Sequence, residues 1–456
     1  MVLQRFRRHI WALVVLAVVV GAGGAVRLSS ATSAPSRGHR GVGPAATVAP
    51  AAMASPEVQR AANLATTAQA GHWVATWGAA PQGPTLGNFS VSGFRDQTVR
   101  EVVLASAGGS TVRVRLTNVF GSRPLLVGGA TISVQRSTAA LVPGTVRRLS
   151  FSGLPTVLIE PGAEILSDPV ALAVRPLTHL AVSLYLPDAT GPATQHWQAR
   201  QVNYVAAGGH AGDPSAGPFH IFTRSWYFLD GVDVLAPRRD LGTVVALGDS
   251  ITDGVTAPLD ADARWPNGLA RRFAARSGST MSVIDEGIGG NRVLNGSACC
   301  GTAAVARFER DVLEQPNVRD VILLEGINDI GYSRSRNPLT VPHTDVSAAA
   351  IVAGYEQIIA LAHAAGVKVF GATLTPFAGA RYWTPDGEAK RDAVNHWIET
   401  SGAFDGVIDF ASAVADPADP ERLDPAYDSG DHLHPNAAGY RAMAAAVNLP
   451  QLLALR

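Results

Sequence analysis

The fold of this chain is decided by one stretch, Val244-Val-Ala-Leu-Gly-Asp-Ser250-Ile-Thr-Asp253-Gly254. Its apolar start predicts a short buried strand, which passes through Gly248 into a polar turn. In parallel sheets, ligands bind beyond the carboxyl ends of the strands. Ser250 therefore stands where a hydroxyl can face a cleft, although Ser250 or Asp249 could instead simply cap a helix.

Downstream of Pro237, apolar strands alternate with alanine-rich helical stretches. The predicted strands are Val244–Leu247, Met281–Ile284, Val321–Leu324, Val367–Ala372 and Val407–Phe410. The predicted helices are Trp265–Arg276, Val346–Ala365, Gly387–Ser401 and Asn436–Val447. This alternation is typical of a parallel sheet covered by helices on both faces, which is a three-layer α/β/α domain.

Upstream, short segments with a period of two recur between Trp73 and Pro237. They include Thr111–Leu116, Thr131–Val134 and Leu180–Leu186, and glycine and proline turns separate them. The pattern favours an antiparallel β-sandwich or jelly-roll-like domain. The change of period places a β-rich domain at residues 71–238 and an α/β domain at residues 239–456.

The N-terminus has the pattern of an export signal. Three arginines precede the apolar run Ile10–Val20, and small residues follow it, so we expect a signal peptide over residues 1–34 and a secreted mature protein. The alternative is a membrane anchor, because the 17 residues Ile10–Val26 reach the short limit of a span. Residues 35–70 are rich in Ala, Ser, Thr, Pro and Gly without an apolar period, which predicts a flexible linker.

Charge and cysteine content exclude several classes of protein. The 37 basic and 37 acidic residues cancel and form no long run, so nothing indicates a nucleic-acid partner, and no required protein partner is evident. The only cysteines, Cys299 and Cys300, are adjacent. Their α-carbons lie about 3.8 Å apart, below the usual disulfide range, so they form either a strained ring or two free thiols. No histidine neighbours them in sequence, which argues against a thiol nucleophile.

Two further polar blocks follow predicted strands. The first, Gly287-Ile-Gly-Gly290-Asn291-Arg292, has glycines that let a backbone amide approach a ligand closely. The second, Leu323-Leu-Glu-Gly326-Ile-Asn328-Asp329, offers the side-chain amide of Asn328 as a donor. The simpler interpretation of Asn328 is an Asx turn.

The last block, Asp431-His432-Leu433-His434-Pro435-Asn436, directly precedes the final predicted helix. A carboxylate three residues ahead of a histidine can orient the imidazole, so Asp431 and His434 are a candidate orienting acid and general base. A plain loop histidine beside a turn aspartate is the alternative. A further alternative makes His432 and His434 metal ligands.

In this order, the four blocks resemble those of the GDSL or SGNH hydrolases, and the resemblance extends from about Leu241 to the C-terminus. It implies a flavodoxin-like three-layer α/β/α hydrolase domain. It also implies that Ser250 is the nucleophile, that His434 is the base and that Asp431 orients His434. The loop 295–302, which carries both cysteines, departs from the family pattern.

The same resemblance implies an oxyanion hole. Its donors would be the backbone amides of Ser250 and Gly290 and the side chain of Asn328, with Gly289 as the alternative to Gly290. The region upstream resembles the N-terminal part of exported two-domain GDSL esterases of bacteria and fungi, through Trp73-Val-Ala-Thr-Trp77-Gly-Ala-Ala-Pro81 and Phe222-Thr-Arg-Ser-Trp226.

The expected activity is hydrolysis of acyl esters through an acyl-enzyme on Ser250, with an ester as the partner molecule and with no metal or cofactor. An acyltransferase with the same triad is one alternative, and a carbohydrate-binding protein with an inactive hydrolase domain is another. A metal-dependent phosphoesterase could use Asp249, Asp253 and the two histidines of the last block, but that interpretation leaves Gly290 and Asn328 without a role.

Overall fold

The computed structural model describes residues 71–454. The predicted signal peptide at 1–34 and linker at 35–70 lie outside the described residues and stay predictions. Between residues 71 and 454, no helix is long and apolar enough to cross a bilayer.

The N-terminal region consists of strands β1 to β16 and one short helix. The first eight strands are His72–Gly78 (β1), Gln97–Ala105 (β2), Gly109–Thr117 (β3), Leu125–Val127 (β4), Gly129–Ser137 (β5), Ala140–Leu141 (β6), Arg147–Arg148 (β7) and Val157–Ile159 (β8). The next eight are Glu164–Leu166 (β9), Val170–Val174 (β10), Thr178–Leu186 (β11), Gln195–His196 (β12), Asn203–Ala207 (β13), Ile221–Thr223 (β14), Trp226–Tyr227 (β15) and Leu229–Ala236 (β16). Helix α1 is Phe89–Ser92, and the side chain of Asn88 caps it.

The strand pairs of this region are antiparallel. One sheet has the order β1-β16-β3-β10, with β9 also paired to β3, and the larger sheet has the order β14-β13-β2-β11-β5-β6, with β7 paired to β5. Along β3, the fully buried Val112, Val114 and Leu116 alternate with the partly exposed Arg113 and Arg115, as expected of a strand with one face on a core. The sequence therefore predicted the antiparallel character correctly, and the sandwich or jelly-roll arrangement stays a prediction.

The C-terminal region is built on a parallel sheet. Its strands are Asp240–Gly248 (β17), Thr280–Gly287 (β18), Val318–Leu324 (β19), Lys368–Ala372 (β20) and Gly406–Ile408 (β21), and an antiparallel pair follows, Ala415–Asp416 (β22) and Asp419–Leu423 (β23). The sheet order is β18-β17-β19-β20-β21. Counted along the chain this is 2-1-3-4-5, the order of flavodoxin-like sheets, in which ligands bind where the strand order reverses. The reversal falls at β17.

Helices follow most of these strands. They are Ser250–Asp253 (α2), Trp265–Ala274 (α3), Ala304–Phe308 (α4), Ile327–Gly331 (α5), Ala348–Ala364 (α6), Pro385–Thr400 (α7), Phe410–Val414 (α8), Ala437–Ala446 (α9) and Leu449–Leu453 (α10). Helix α3 packs against β18 and α9, and α6 packs against β20 and α7. The predicted strand 407–410 ends earlier, at Ile408, because Asp409 caps α8 by accepting from the Ser412 amide. The three-layer arrangement stays a prediction.

Two large hydrophobic clusters lie one in each region. The first consists of residues from the N-terminal strands, and the second surrounds the parallel sheet but includes Ala75 of β1. The amide of Ala75 donates to Thr243 Oγ1 at 3.1 Å, and the amide of Val283 donates to Ser106 Oγ at 3.0 Å. Both regions belong to one compact unit, so a division into separate domains at residue 238 stays a prediction.

Candidate active site

Three polar blocks meet because their strands end side by side. In the parallel register, Gly248 of β17 pairs with Gly287 of β18 and with Leu324 of β19. The chain has little room at this point, since a Cβ on Gly248 would lie 2.3 Å from Thr252 Oγ1 and a Cβ on Gly287 would lie 2.4 Å from the Asp253 nitrogen. Glycine at both positions therefore lets α2 fold back against the strand ends.

Ser250 is the first residue of α2, directly after the N-cap Asp249, whose side chain accepts from the Ile251 amide. The helix-capping role that sequence left open thus belongs to Asp249. Ser250 is 6% exposed, and its Oγ lies 2.8 Å from His434 Nε2. The hydroxyl of Ser250 is therefore available to an imidazole on the loop before α9.

His434 is oriented by Asp431. Its Nδ1 lies 2.6 Å from Asp431 Oδ2, while Asp431 Oδ1 accepts from the backbone amides of Leu433 and His434 at 3.0 Å and 2.8 Å. Because a carboxylate only accepts, Nδ1 carries the proton and the lone pair of Nε2 faces Ser250. Ser250 then donates to His434, which is the direction of proton transfer that a general base requires.

The carboxyl of Asp431 stays ionised well below neutral pH. Burial acts to raise its pKa, but the hydrogen bonds from the His434 side chain and from the backbone amides of His434 and Leu433 outweigh this effect and hold the pKa well below its usual range. A fixed negative charge therefore faces His434 Nδ1 at neutral and mildly acidic pH. Such a charge stabilises the imidazolium that forms when the base accepts a proton.

Two backbone amides of the polar blocks, those of Ser250 and Gly290, have spare donor capacity. Within the described residues, the amides of Ser250 and Gly290 donate to no group. The amide of Gly289 is used, since it donates to Asp253 Oδ2 at 3.1 Å. Gly290 has φ +76°, a conformation that favours glycine. Of the two glycines that sequence left open, Gly290 is the one with a free N–H.

Asn328 lies in the short helix α5 and is 3% exposed. Its Nδ2 donates to the Asn291 carbonyl at 3.0 Å, and its Oδ1 accepts from the Tyr382 hydroxyl at 3.2 Å. The partners on both sides set the orientation of the amide and leave one Nδ2 hydrogen free. The side chain thus links the block after β19 to the glycine block and forms no Asx turn.

Arg307 ties the strand ends together. Its buried guanidinium donates to the carbonyls of Gly248 and Glu286 at 3.0 Å and 2.7 Å and to Asn291 Oδ1 at 3.0 Å. It also forms an ion pair with Asp311 at 3.1 Å. One cation therefore holds the ends of β17 and β18 and the residue after Gly290. No motif in the sequence pointed to Arg307.

Two buried carboxyl groups behind the site titrate near neutral pH. Burial raises the pKa of Asp249 to about 7, against the hydrogen bond from Ile251. Burial also raises the pKa of Asp329 to about 6, although it accepts from the amides of Val293 and Leu294 at 2.7 Å and 3.1 Å. Through these two hydrogen bonds, Asp329 holds in place the segment that follows the glycine block.

The loop with the two cysteines forms a wall of the site. Cys299 and Cys300 are joined by a disulfide, which is the ring form that the sequence left open. A Cβ on Gly290 would lie 2.7 Å from Cys300 Sγ and 2.5 Å from the Tyr332 hydroxyl. The disulfide and the Tyr332 hydroxyl therefore lie close to Gly290.

The other aromatic residues near the blocks divide into two groups. Tyr332 and Tyr382 touch Gly290 and Asn328, and sequence offered no signal for Tyr382. Trp265 is fully buried and packs on Phe410 with ring centroids 5.2 Å apart. Trp383 donates from its indole nitrogen to Glu388 at 2.9 Å. The two tryptophans stabilise the fold around the site.

The residues of the metal-site hypothesis have other partners. His432 Nδ1 lies 2.6 Å from Asp428 Oδ2, His434 contacts Ser250 and Asp431, and Asp249 caps α2. Among residues 71–454, no three His, Cys, Asp or Glu side chains form a group that could hold a metal ion. The geometry provides no argument for the phosphoesterase hypothesis.

Comparison with known proteins identifies the domain that carries these residues. Residues 246–442 match the sequence model of the GDSL-like Lipase/Acylhydrolase family. This part of the chain therefore has the sequence pattern of a GDSL-like lipase/acylhydrolase domain. No curated protein sequence matches the chain.

Solved structures similar to this chain include a GDSL-like lipase and an acetylxylan esterase. A GDSL-like lipase from Bacteroides thetaiotaomicron is 21% identical with a TM-score of 0.33, and the similarity covers 44% of this chain and 84% of that one. An acetylxylan esterase from Geobacillus stearothermophilus is 20% identical with a TM-score of 0.35, over 47% of this chain and 94% of that one.

Proposed function

We propose that this protein is a secreted serine ester hydrolase that cleaves carboxylic esters through an acyl-enzyme on Ser250. The observation that carries the proposal is the hydrogen-bonded series Ser250–His434–Asp431. The backbone amides of Ser250 and Gly290 have no partners within residues 71–454. Secretion rests on the export pattern of residues 1–34. N-terminal sequencing of protein recovered from the culture medium tests it, and an intact Met1 on recovered protein would contradict cleavage.

In the first half of the reaction, Ser250 Oγ attacks the ester carbonyl while His434 Nε2 accepts the hydroxyl proton. The carbonyl oxygen becomes an oxyanion, which the amides of Ser250 and Gly290 and the free hydrogen of Asn328 Nδ2 stabilise. When the tetrahedral intermediate collapses, the bond to the alcohol oxygen breaks and His434 returns its proton to the departing alcohol. The acyl group stays on Ser250.

In the second half, water attacks the acyl-enzyme and gives its proton to His434. The same donors stabilise the second oxyanion, and collapse releases the acid and restores the Ser250 hydroxyl. An acyltransferase would follow the same path with another alcohol in place of water. The acceptor therefore decides between hydrolysis and acyl transfer, and product analysis with added alcohols measures it.

The substrate class can be tested with the purified full-length protein on p-nitrophenyl esters of increasing acyl length, in parallel with acetylated xylan. We expect hydrolysis, loss of activity with a serine-directed phosphonate that labels Ser250, and no effect of a chelator. Activity that survives the phosphonate and disappears with chelator would contradict the proposal and favour a metal-dependent phosphoesterase. Binding of xylan without turnover of any ester would favour a carbohydrate-binding protein.

A further inference from the structure

A second series of hydrogen bonds reaches the glycine block from the N-terminal region. It begins at His196 in β12, which is buried and far in sequence from every candidate catalytic residue. The two side chains of the contact, His196 and Asp253, are each 3% exposed. Asp253 is the last residue of α2, the helix that begins with Ser250.

Both ring nitrogens of His196 have hydrogen-bond partners, and one of these partners leads to the glycine block. Its Nδ1 lies 2.9 Å from the Ala80 carbonyl oxygen, and its Nε2 lies 3.2 Å from Asp253 Oδ1. The other oxygen of the carboxyl, Asp253 Oδ2, accepts from the Gly289 amide at 3.1 Å. The series therefore ends one residue before Gly290, whose free N–H is the proposed oxyanion donor.

The hydrogen-bond partners of His196 indicate where the protons of this series lie. A carbonyl and a carboxylate both accept, so the imidazole between Ala80 and Asp253 needs a proton on each nitrogen, or else Asp253 carries one. In either case one proton is shared between His196 and Asp253. Arg264 also contacts Asp253. Its Nη2 lies 3.8 Å from the side-chain oxygen Asp253 Oδ1, and its Nε donates to the backbone carbonyl of Asp253 at 2.6 Å.

The ring of His196 is also held by packing. It lies beside the Trp226 indole with ring centroids 5.5 Å apart, and the Arg264 guanidinium stacks on the same indole at 5.4 Å. Two further ionisable groups face this pair. They are Asp285, whose carboxyl lies 3.8 Å from Arg264 Nε, and Arg200, which interacts electrostatically with Asp253 and Arg264. His196 thus has little freedom to leave Asp253.

The glycine block needs an external support. Gly287, Gly289 and Gly290 have no side chain to restrict their backbone angles, and glycine loses more conformational freedom than any other residue when it is ordered. The amide of Gly289 is held by Asp253. Without that bond, the following peptide, which carries the Gly290 N–H, could rotate away from the oxyanion.

We propose that His196 is a positioning residue, which acts through Asp253 and the Gly289 amide to aim the Gly290 N–H at the oxyanion. This inference rests on the proposed function. It assigns to the N-terminal region a part in catalysis, because one of its strands holds a donor of the neighbouring region in place. A misplacement of about 1 Å in such a site can cost about 10²-fold in rate.

The test uses full-length protein with three substitutions of His196, of which those to Leu and Gln roughly keep the volume of the side chain. His196→Leu cannot donate to Asp253, and we expect kcat for p-nitrophenyl acetate to fall about 10- to 100-fold while KM changes less than about threefold. His196→Gln keeps a donor that can reach Asp253, so it should recover most of the lost kcat. His196→Asn is too short to reach Asp253 and should behave like His196→Leu, which preserves the test if the leucine variant does not fold.

His179 offers a matched control. It also belongs to an N-terminal strand and contacts the C-terminal region, with Nε2 at 2.8 Å from Asp262 Oδ2, but Asp262 has no contact with the glycine block. His179→Ala should leave kcat unchanged. All rates are expressed per folded molecule, with the unfolding midpoint measured on the same samples.

Two results would overturn the inference. One is a normal kcat in folded His196→Leu or His196→Asn with only a lowered midpoint, which is what a purely structural role predicts. The other is an equal loss of kcat in His196→Gln and His196→Leu. Failure of the proposed function looks different, because the wild-type protein would then hydrolyse no ester and Ser250→Ala would change nothing.

Discussion

The two regions of this protein differ in how the polar groups at their centres are paired. In the N-terminal region, Arg100 donates to Ser183 Oγ and to backbone carbonyls, and Asn203 accepts from the Val102 amide and donates to the Ser225 carbonyl, at 2.8 Å and 2.9 Å. In the C-terminal region, the backbone amides of Ser250 and Gly290 donate to no group within residues 71–454. A buried donor without a partner is costly, so we expect a ligand to complete these hydrogen bonds.

This difference predicts which substitutions change activity and which change stability. The largest effect should come from Ser250→Ala, which removes the nucleophile and leaves the fold intact because its loss creates little void. We expect nearly all esterase activity to disappear while the unfolding midpoint stays close to that of the wild-type protein.

The matched variant is Ser183→Ala in the N-terminal region. Ser183 is also buried and accepts from Arg100 Nε at 2.8 Å, so its loss should cost about 1–3 kcal/mol of stability with normal turnover. More than a few per cent of wild-type activity in clean Ser250→Ala protein would remove Ser250 from the proposed mechanism.

The next effect in size concerns two buried asparagines. Asn328→Ala should lower kcat by about 10²–10³, the usual loss for one oxyanion donor, with little change in KM. Asn203→Ala should instead lower stability by about 1–3 kcal/mol with normal kcat. Both quantities are measured on each variant. If Asn328→Ala showed the pattern expected of Asn203→Ala, Asn328 would be a structural link between blocks and the comparison would fail.

The smallest effect is a change in how stability depends on pH. Burial raises the pKa of Asp249 to about 7 in the folded protein, above the value of about 3.9 in an unfolded chain. The folded state therefore binds the proton more tightly. The contribution of Asp249 is most favourable below about pH 4 and is lost as pH rises toward 7, by at most about 1.4 kcal/mol per pH unit.

Asp249→Asn does not titrate but can still accept from the Ile251 amide. Its unfolding midpoint should therefore fall less steeply than that of the wild-type protein between about pH 4 and 7. Glu101→Gln is the matched variant, because burial raises the pKa of Glu101 well above its usual range in the N-terminal region. It should flatten the curve in the same direction and leave turnover unchanged. Parallel curves for Asp249→Asn and the wild-type protein would contradict the pKa of Asp249.

Much of the C-terminal region could be predicted from local sequence. Apolar runs such as Val244–Leu247 lie within observed strands, and the polar blocks follow strand ends, because a parallel sheet brings the carboxyl ends of its strands to one edge. The Asp431–His434 contact spans three residues and is visible in the spacing. What such patterns could not reveal is which of Gly289 and Gly290 keeps a free amide, since that depends on Asp253.

The sequence by itself predicted the antiparallel and parallel regions, because periodicity is a local property. Its resemblance to a known family named Ser250, Gly290 or Gly289, Asn328, Asp431 and His434 as the candidate site. Only the tertiary structure decided the rest. It brought Arg307 to three chain segments and Tyr382 to Asn328. It also brought His196 to Asp253, which are 57 residues apart in sequence. These contacts join side chains from separate elements, and packing places such side chains together without leaving any period or spacing in the sequence.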